Sequence, residues 1–334
     1  MKIKTPSFWY RPQGSLLSAL LSPLSVAYGV GRAVHCALKS PEKLDGVKII
    51  CIGNLNAGGS GKTPTAMALL SVMQECKMAR APAFLLRGYG GTNEAPMRVD
   101  PARHNAEEVG EEALLLAAYG PVYVARDRLE GARLAAREGA DVIIMDDGYQ
   151  SRRLQADIYL AVIDGTMGLG NQKMLPAGPL REPISKAFAR ADGFVFIGDD
   201  HNDMRWQLPG DKPVFEAKTM VRDVSAPPKE GDYFAFAGIG YPKKFFAFMR
   251  NVLSLNIVME HEFPDHYAYS AEDIDMLREQ AQEQGLQLIT TEKDMLQIRR
   301  LSGVDVSDIL ILPIYLQFQG EGALIDFLQE RIRS

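Results

Sequence analysis

Asn54-Leu-Asn-Ala-Gly-Gly-Ser-Gly-Lys62-Thr63-Pro64 decides how this chain folds. An apolar run, Val47-Lys-Ile-Ile-Cys-Ile52, precedes it, and a helical pattern, Thr65-Ala-Met-Ala-Leu-Leu70, follows. The order is strand, glycine-rich turn, helix. In such a turn successive backbone N–H groups converge into a nest for phosphate oxygens. The helix that follows adds the positive end of its dipole. Asn56, Ala57, Gly58, Gly59, Ser60, Gly61, Lys62 and Thr63 are therefore the candidates for binding a nucleotide's phosphates. Lys62 would reach the outer phosphates and Thr63 would offer its hydroxyl to Mg²⁺. Pro64 fits the first helical turn, where its missing N–H costs nothing. The strict pattern opens with Gly five residues before Gly61, and Asn56 stands there instead. Asn is the non-glycine residue that best tolerates positive φ. An ordinary strand–helix turn of small residues is the plainer reading, but the intact Gly61-Lys62-Thr63 between strand and helix favours phosphate.

With 334 residues the chain has room for one large or two medium domains. Its 46% hydrophobic and 24% charged content is ordinary for a globular protein. The net charge of −5 gives no basic field for nucleic acid. Cys36, Cys51 and Cys76 are odd in number and widely spaced, so they form neither a disulfide framework nor a metal-ligand spacing and point to a reducing compartment.

Residues 1–40 form a segment of their own. Lys2, Lys4 and Arg11 precede an uncharged stretch from Pro12 to Gly31. Ser15, Ser18, Ser22 and Ser25 share one helical face, with Leu17, Leu20, Leu21, Leu24 and Tyr28 toward the other, and Ser22-Pro23 marks a kink or restart. A membrane span needs roughly 20 predominantly apolar residues, and this stretch is rich in Ser and Gly. A secretory leader lacks an A-x-A site here. The expectation is a helix lying in a membrane surface with cationic flanks, against the simpler alternative of a helix packed on its own domain.

From Val47 onward the pattern alternates strand and helix. Apolar runs at 83–86, 122–125, 142–145, 158–163 and 194–197 read as buried strands, with helical windows at 107–119 and 128–139. Such alternation implies a doubly wound α/β fold with mostly parallel sheets. Asp146 and Asp147 follow Val142–Met145, and a carboxylate at the end of a buried strand after such a turn is placed to hold Mg²⁺. The plainer reading is an Asp-Gly turn. Arg87 and Tyr89 follow another strand end, and Arg126 a third. The long loop 168–183 carries Gln172, Lys173, Arg181 and Glu182 among leucines, as a loop meeting an anionic, partly apolar ligand would. These polar residues are the candidates for substrate contact, the arginines through their forked guanidinium. Residues 41–212 are expected to form the nucleotide lobe, 213–232 a connecting strand, and 233–334 a second α/β lobe.

Several motifs together resemble one family, the tetraacyldisaccharide 4′-kinases that act in lipid A synthesis. They are Gly53-Asn54 with Gly58-Gly-Ser-Gly-Lys-Thr-Pro64, Arg87-Gly-Tyr89, Asp146-Asp-Gly-Tyr-Gln150, Leu175-Pro-Ala-Gly-Pro-Leu-Arg-Glu-Pro183, Ala237-Gly-Ile-Gly240, Phe263-Pro-Asp-His266 and Thr290-Thr-Glu-Lys-Asp294. The resemblance implies transfer of the ATP γ-phosphate, with Mg²⁺, to the 4′-hydroxyl of an acylated glucosamine disaccharide 1-phosphate. It implies two α/β lobes joined by a strand, and work at the cytoplasmic face of a bacterial inner membrane. It also implies Lys62 and Asp147 as catalytic groups, Thr63, Asp146 and Asp147 as the metal site, and Glu111 as the proton acceptor. His266 would steer Glu111 once the lobes close. This chain departs twice: Glu111 stands where the family usually has Asp, and Ser151 where it often has His. The other readings weighed are a regulatory GTPase, which lacks its Asn-Lys-x-Asp motif here, a membrane-associated ParA-like ATPase switch, and a soluble small-molecule kinase.

Overall fold

The apolar runs become strands of two largely parallel sheets. The computed structural model describes residues 6–11, 15–37, 40–58, 61–151, 153–221, 230–265 and 267–333. The chain divides into two units, one of residues 5–219 with 316–334 and one of residues 220–315. The first unit opens with α1 (Leu16–Ala37), β1 (Lys48–Asn54), α2 (Lys62–Glu75), β2 (Pro82–Leu86), β3 (Met97–Arg98), α3 (Ala106–Val109) and α4 (Glu111–Ala117). It continues with β4 (Val122–Val124), α5 (Arg128–Arg137), β5 (Val142–Met145), β6 (Ile158–Asp164), α6 (Ile184–Arg190), β7 (Gly193–Ile197) and β8 (Val214–Val221). The second unit follows with β9 (Asp232–Ala237), α7 (Pro242–Asn251), β10 (Asn256–Glu262), α8 (Ala271–Gln284), β11 (Gln287–Thr291), α9 (Glu292–Ile298) and β12 (Ile309–Leu312). Strand β13 (Ile314–Gln319) and helix α10 (Glu321–Arg333) close the chain.

In the first unit nine strands run in the order β13-β8-β7-β6-β1-β5-β2-β4-β3. Every pair from β8 across to β4 is parallel, and β3 runs antiparallel to β4. Alternate residues of the strands feed opposite faces, as the two-residue period requires. Ile50 and Ile52 join the core beneath α2, while Ile49 and Cys51 join the one beneath α5 and α6. The second unit has four parallel strands in the order β10-β9-β11-β12. Phe234 and Phe236 pack with α8 and α9, Tyr233 and Ala235 with α7, so helices cover both faces.

Three boundaries differ from the sequence expectation, each for a local reason. The helical window 107–119 breaks at Gly110, whose φ of 88° and ψ of 150° lie outside any helix. The run 309–315 breaks at Pro313, which has no N–H to give to a ladder. Strand β12 pairs with β11 in the second sheet, whereas β13 lies beside β8 in the first. The expected second lobe at 233–334 is therefore too long, since residues 316–334 belong to the first unit. Likewise 214–221, expected as a connector, is an integral strand of the nine-stranded sheet, and residues 222–229 lie outside the described residues. Phe327 of α10 packs 5.1 Å from Phe215 between ring centres. Phe327→Ala is expected to lower the unfolding free energy by about 3 kcal/mol, measured by chemical denaturation.

Helix α1 runs as one element from Leu16 to Ala37 with Pro23 inside it, so the chain does not restart there. Its apolar side faces out, with Leu20 68% and Leu24 57% exposed, whereas Ser18 is fully buried. Tyr28, expected beside the leucines, is half-buried with its hydroxyl 3.4 Å from the Arg181 carbonyl.

Candidate active site

Ligands of open α/β sheets lie beyond the carboxyl ends of the strands. Here the register brings four such ends together. Cys51 pairs with Met145, Leu85 with Met145, and Leu86 with Val124. The loops after β1, β5, β2 and β4 therefore emerge side by side, which is why residues far apart in sequence meet.

After β1 the chain turns through Gly58, with φ 72°, and Gly61, with φ 93°, into α2. A Cβ on Gly61 would come within 2.4 Å of Ile197 Cδ1, so the turn needs glycine there for space as well as for its φ. Gly59 and Ser60 lie outside the described residues. Asn56 does not use the positive φ suggested for it. It is buried, and its amide donates to the Gly168 carbonyl at 2.9 Å, tying the turn to the long loop. The backbone of Ala57 does the same, donating to Pro179 O at 2.7 Å.

The two strand-end acids take different environments. The Thr63 hydroxyl donates to Asp146 Oδ2 at 2.7 Å, and the buried Oδ1 has no hydrogen-bond partner among the described residues. Burial, reinforced by the neighbouring Glu112, pushes the Asp146 carboxyl up to about 7. Asp147 adopts φ 50° and turns its carboxylate toward cations. Lys62 Nζ lies 3.7 Å away and Arg181 Nη1 3.2 Å away, while Arg128 donates to the Asp147 carbonyl at 2.8 Å. Burial alone would raise this carboxyl, but Lys62, Arg181 and Arg128 outweigh it and hold it below the usual carboxylate range.

Asp146, Asp147, Arg128 and Arg181 face a cavity of about 310 Å³, lined also by Arg87, Glu112, Tyr89 and Gln150. Cations and acids in one concavity suit an anion together with a divalent metal. Thr63 and Asp146 present hard oxygens, one of them unsatisfied, which fits Mg²⁺. Mg²⁺ is usually held by one or two carboxylates plus substrate phosphates.

Not every expected site residue is in this cavity. Arg126 is exposed and donates to Gly91 O at 3.1 Å, supporting the 87–91 loop. The guanidinium inside belongs to Arg128, which the sequence reading missed. Gln172 spends its amide on Gln207 at 2.7 Å on the outside of the loop. Glu182 is 3% exposed and ion-paired with Arg190 and, at 3.3 Å, with Arg32. Both are corrections to the expectation of substrate contact, because these groups are committed to holding the loop. Glu111 is the first residue of α4, and its neighbour Glu112 lines the cavity. His266 lies outside the described residues.

A parallel sheet, a glycine turn ending in Lys-Thr, and a strand-end acid against that Thr define a P-loop phosphotransferase. Residues 17–333 match the family model described as Tetraacyldisaccharide-1-P 4′-kinase. The chain belongs to that family. It is 42% identical to the tetraacyldisaccharide 4′-kinase of Bradyrhizobium sp. (strain BTAi1), over 99% of this chain and 96% of that protein. It is 41% identical to the one from Bradyrhizobium diazoefficiens, over 99% and 97%. Among solved structures it is similar to LpxK from Aquifex aeolicus in complex with ATP, with 27% identity, a TM-score of 0.73 and coverage of 95% of this chain and 99% of that one.

Proposed function

We propose that the chain transfers the γ-phosphate of ATP to the 4′-hydroxyl of tetraacyldisaccharide 1-phosphate in lipid A synthesis. The observation that carries this reading is that Asp146 and Asp147, which line one arginine-rich cavity, are met from the glycine turn by Thr63 and Lys62 respectively, in a chain of this family. The O4′–Pγ bond forms, the bond from Pγ to the β-phosphate oxygen breaks, and ADP leaves. Phosphoryl transfer has a loose transition state, so most of the catalysis is positioning and charge stabilisation. Lys62 meets the outer phosphates. Arg87, Arg128 and Arg181 offer forked donors to the phosphoryl oxygens or to the lipid's 1-phosphate. Thr63 and Asp146 would hold Mg²⁺, which supplies further neutralisation of the phosphates when bound. Glu111 accepts the hydroxyl proton, with Glu112 beside it in sequence on the cavity wall, and His266 is assigned to steering Glu111.

Helix α1 supports work at a membrane surface. Residues Leu16–Val34 are long and apolar enough to cross a bilayer. The exposed leucines and the serine side packed on the protein support lying along a bilayer surface instead, and that surface is proposed to be the cytoplasmic face.

Mg²⁺-ATP labelled at the γ-phosphate, with the acylated disaccharide phosphate in detergent micelles, tests the reading. Label is expected in the lipid. Glu111→Gln is expected to lower kcat by about 10²-fold or more, while Glu112→Gln raises the Mg²⁺ concentration needed. ATP hydrolysis with no label in the lipid would overturn the assignment.

A further inference from the structure

The long loop 168–183 connects two parts of the first unit that have no obvious reason to be joined. One end of the connection is the serine face of α1. Ser18 Oγ donates to Ala177 O at 2.8 Å and accepts from the Asn171 amide at 3.1 Å. Ser25 Oγ donates to Met174 O at 2.8 Å and accepts from the Ala177 N–H at 3.1 Å. Gly29 completes the fit, since a Cβ there would lie 2.8 Å from Met174 Cε. These bonds are buried or partly buried and reciprocal, each hydroxyl both giving and receiving.

The other end of the connection is the phosphate turn. Arg181 N donates to Leu55 O at 3.0 Å, Ala57 N to Pro179 O at 2.7 Å, and Leu180 bridges Asn56. Residues 179–181 thus pair with residues 55–57 through one antiparallel bridge at the entrance of the turn. From there the Arg181 side chain donates to Asp147 Oδ1 at 3.2 Å and to Gln150 Oε1 at 2.8 Å. A shift of the loop would move the backbone that shapes the turn and the guanidinium in the cavity together.

We propose that α1 is a positioning element for phosphoryl transfer as well as an apolar surface. Ser18 and Ser25 are positioning residues that set the phosphate turn and Arg181 through the loop 168–183. The polar side of the helix works inward while its leucines face out. An event at the outer face, such as contact with lipid, thereby acts on the same helix that holds the turn in register. The inference rests on the reading of this turn as the ATP site.

The test compares Ser18→Ala/Ser25→Ala with Leu20→Gln/Leu24→Gln, both in detergent without acceptor lipid and well below their melting temperatures. Affinity for a fluorescent ATP analogue is read first, then KM for ATP and kcat with acceptor. The serine variant is expected to bind nucleotide about tenfold more weakly, with KM raised and kcat lowered together. The leucine variant is expected to bind nucleotide as the parent does. If the double serine variant does not fold, Ser25→Ala alone is read, with about a threefold weakening expected. Parental nucleotide affinity and kcat in a folded serine variant would overturn the proposal. So would an equal loss in the leucine variant, which would make the effect one of general helix stability. Transfer by the parent protein is a separate control. If the acceptor takes no label while the serine variant still binds nucleotide more weakly, the positioning role stands and the kinase reading falls.

Discussion

Lys62→Met is expected to leave the protein folded and to lower phosphoryl transfer by about 10²–10³-fold, the scale for losing one preorganised donor at a developing charge. The fold survives because the partner of Lys62 is not left alone. Asp147 keeps Arg181 at 3.2 Å, and Arg128 stays on its backbone carbonyl. Lys62 stands at the first position of α2, and Met retains the length of the stem that packs there. What Met cannot do is exchange Asp147 for a phosphate. In this structure Lys62 Nζ and Asp147 are 3.7 Å apart, a separation from which the ammonium can turn to an incoming γ-phosphate. Lys62→Arg is expected to recover little, because a planar fork does not replace a compact, rotatable point charge in a turn of this size. Initial rates of label transfer alongside thermal melting check both statements. A Lys62→Met rate within tenfold of the parent would remove Lys62 from the phosphate site.

The sheet and the phosphate turn were legible because their signals are local. Apolar runs bounded by turn residues place strands to within about two residues, and a glycine turn with Lys-Thr after such a run allows few alternatives. Asp146 and Asp147 were legible for the same reason, as charges directly after Val142–Met145. What failed was any assignment that depends on long-range partners. Glu182 and Lys173 read as ligands for a substrate, yet Glu182 is ion-paired with Arg190 and Arg32, and Lys173 reaches the Ser22 hydroxyl at 3.1 Å. No pattern around residue 182 announces an arginine in α1.

Neighbouring like residues were the second blind spot. Arg126 and Arg128 both follow β4, and only the cap that Asp127 makes on Leu129 N fixes α5 so that Arg128 turns inward. The only sign in the sequence was Arg-Asp-Arg at a strand end, where Asp is a good N-cap and the residue after it begins the helix. Glu111 and Glu112 pose the same problem, decided by the φ of Gly110. The boundary of the second unit was hidden differently. Helix α10 is amphipathic in an ordinary way, and nothing in its own residues says which sheet Leu324, Phe327 and Leu328 will cover.

Asp146→Asn is expected to stabilise the metal-free protein while removing Mg²⁺-dependent transfer. The carboxyl is 2% exposed, and its Oδ1 is without a partner among the described residues. Burial first and Glu112 second lift it from the ordinary 3.8 to about 7, against the pull of Lys62 and Thr63. The unfolded chain therefore gives up this proton at a lower pH than the folded one. Below about pH 4 both states carry it, and the side chain costs nothing relative to Asn. Between about 4 and 7 only the folded state retains it, so stability falls as pH rises, and above about 7 the penalty is complete. Asn escapes that penalty and can still accept from Thr63. In a chelating buffer at pH 8 the Asn variant is expected to melt at a higher temperature than the parent, and the gap should close as the buffer approaches pH 4. Adding Mg²⁺ at pH 8 should stabilise the parent, by binding the native state alone, and leave the variant where it was. Transfer should fall by about 10²–10³-fold, on the scale of losing a transition-state charge stabiliser. A variant less stable than the parent at pH 8 without metal would show that the carboxylate is well satisfied in the fold. Its place would then be structural, and the case for Mg²⁺ at Thr63 and Asp146 would fail with it. Higher stability joined to lost transfer is what a site held under electrostatic strain for its ligand should give.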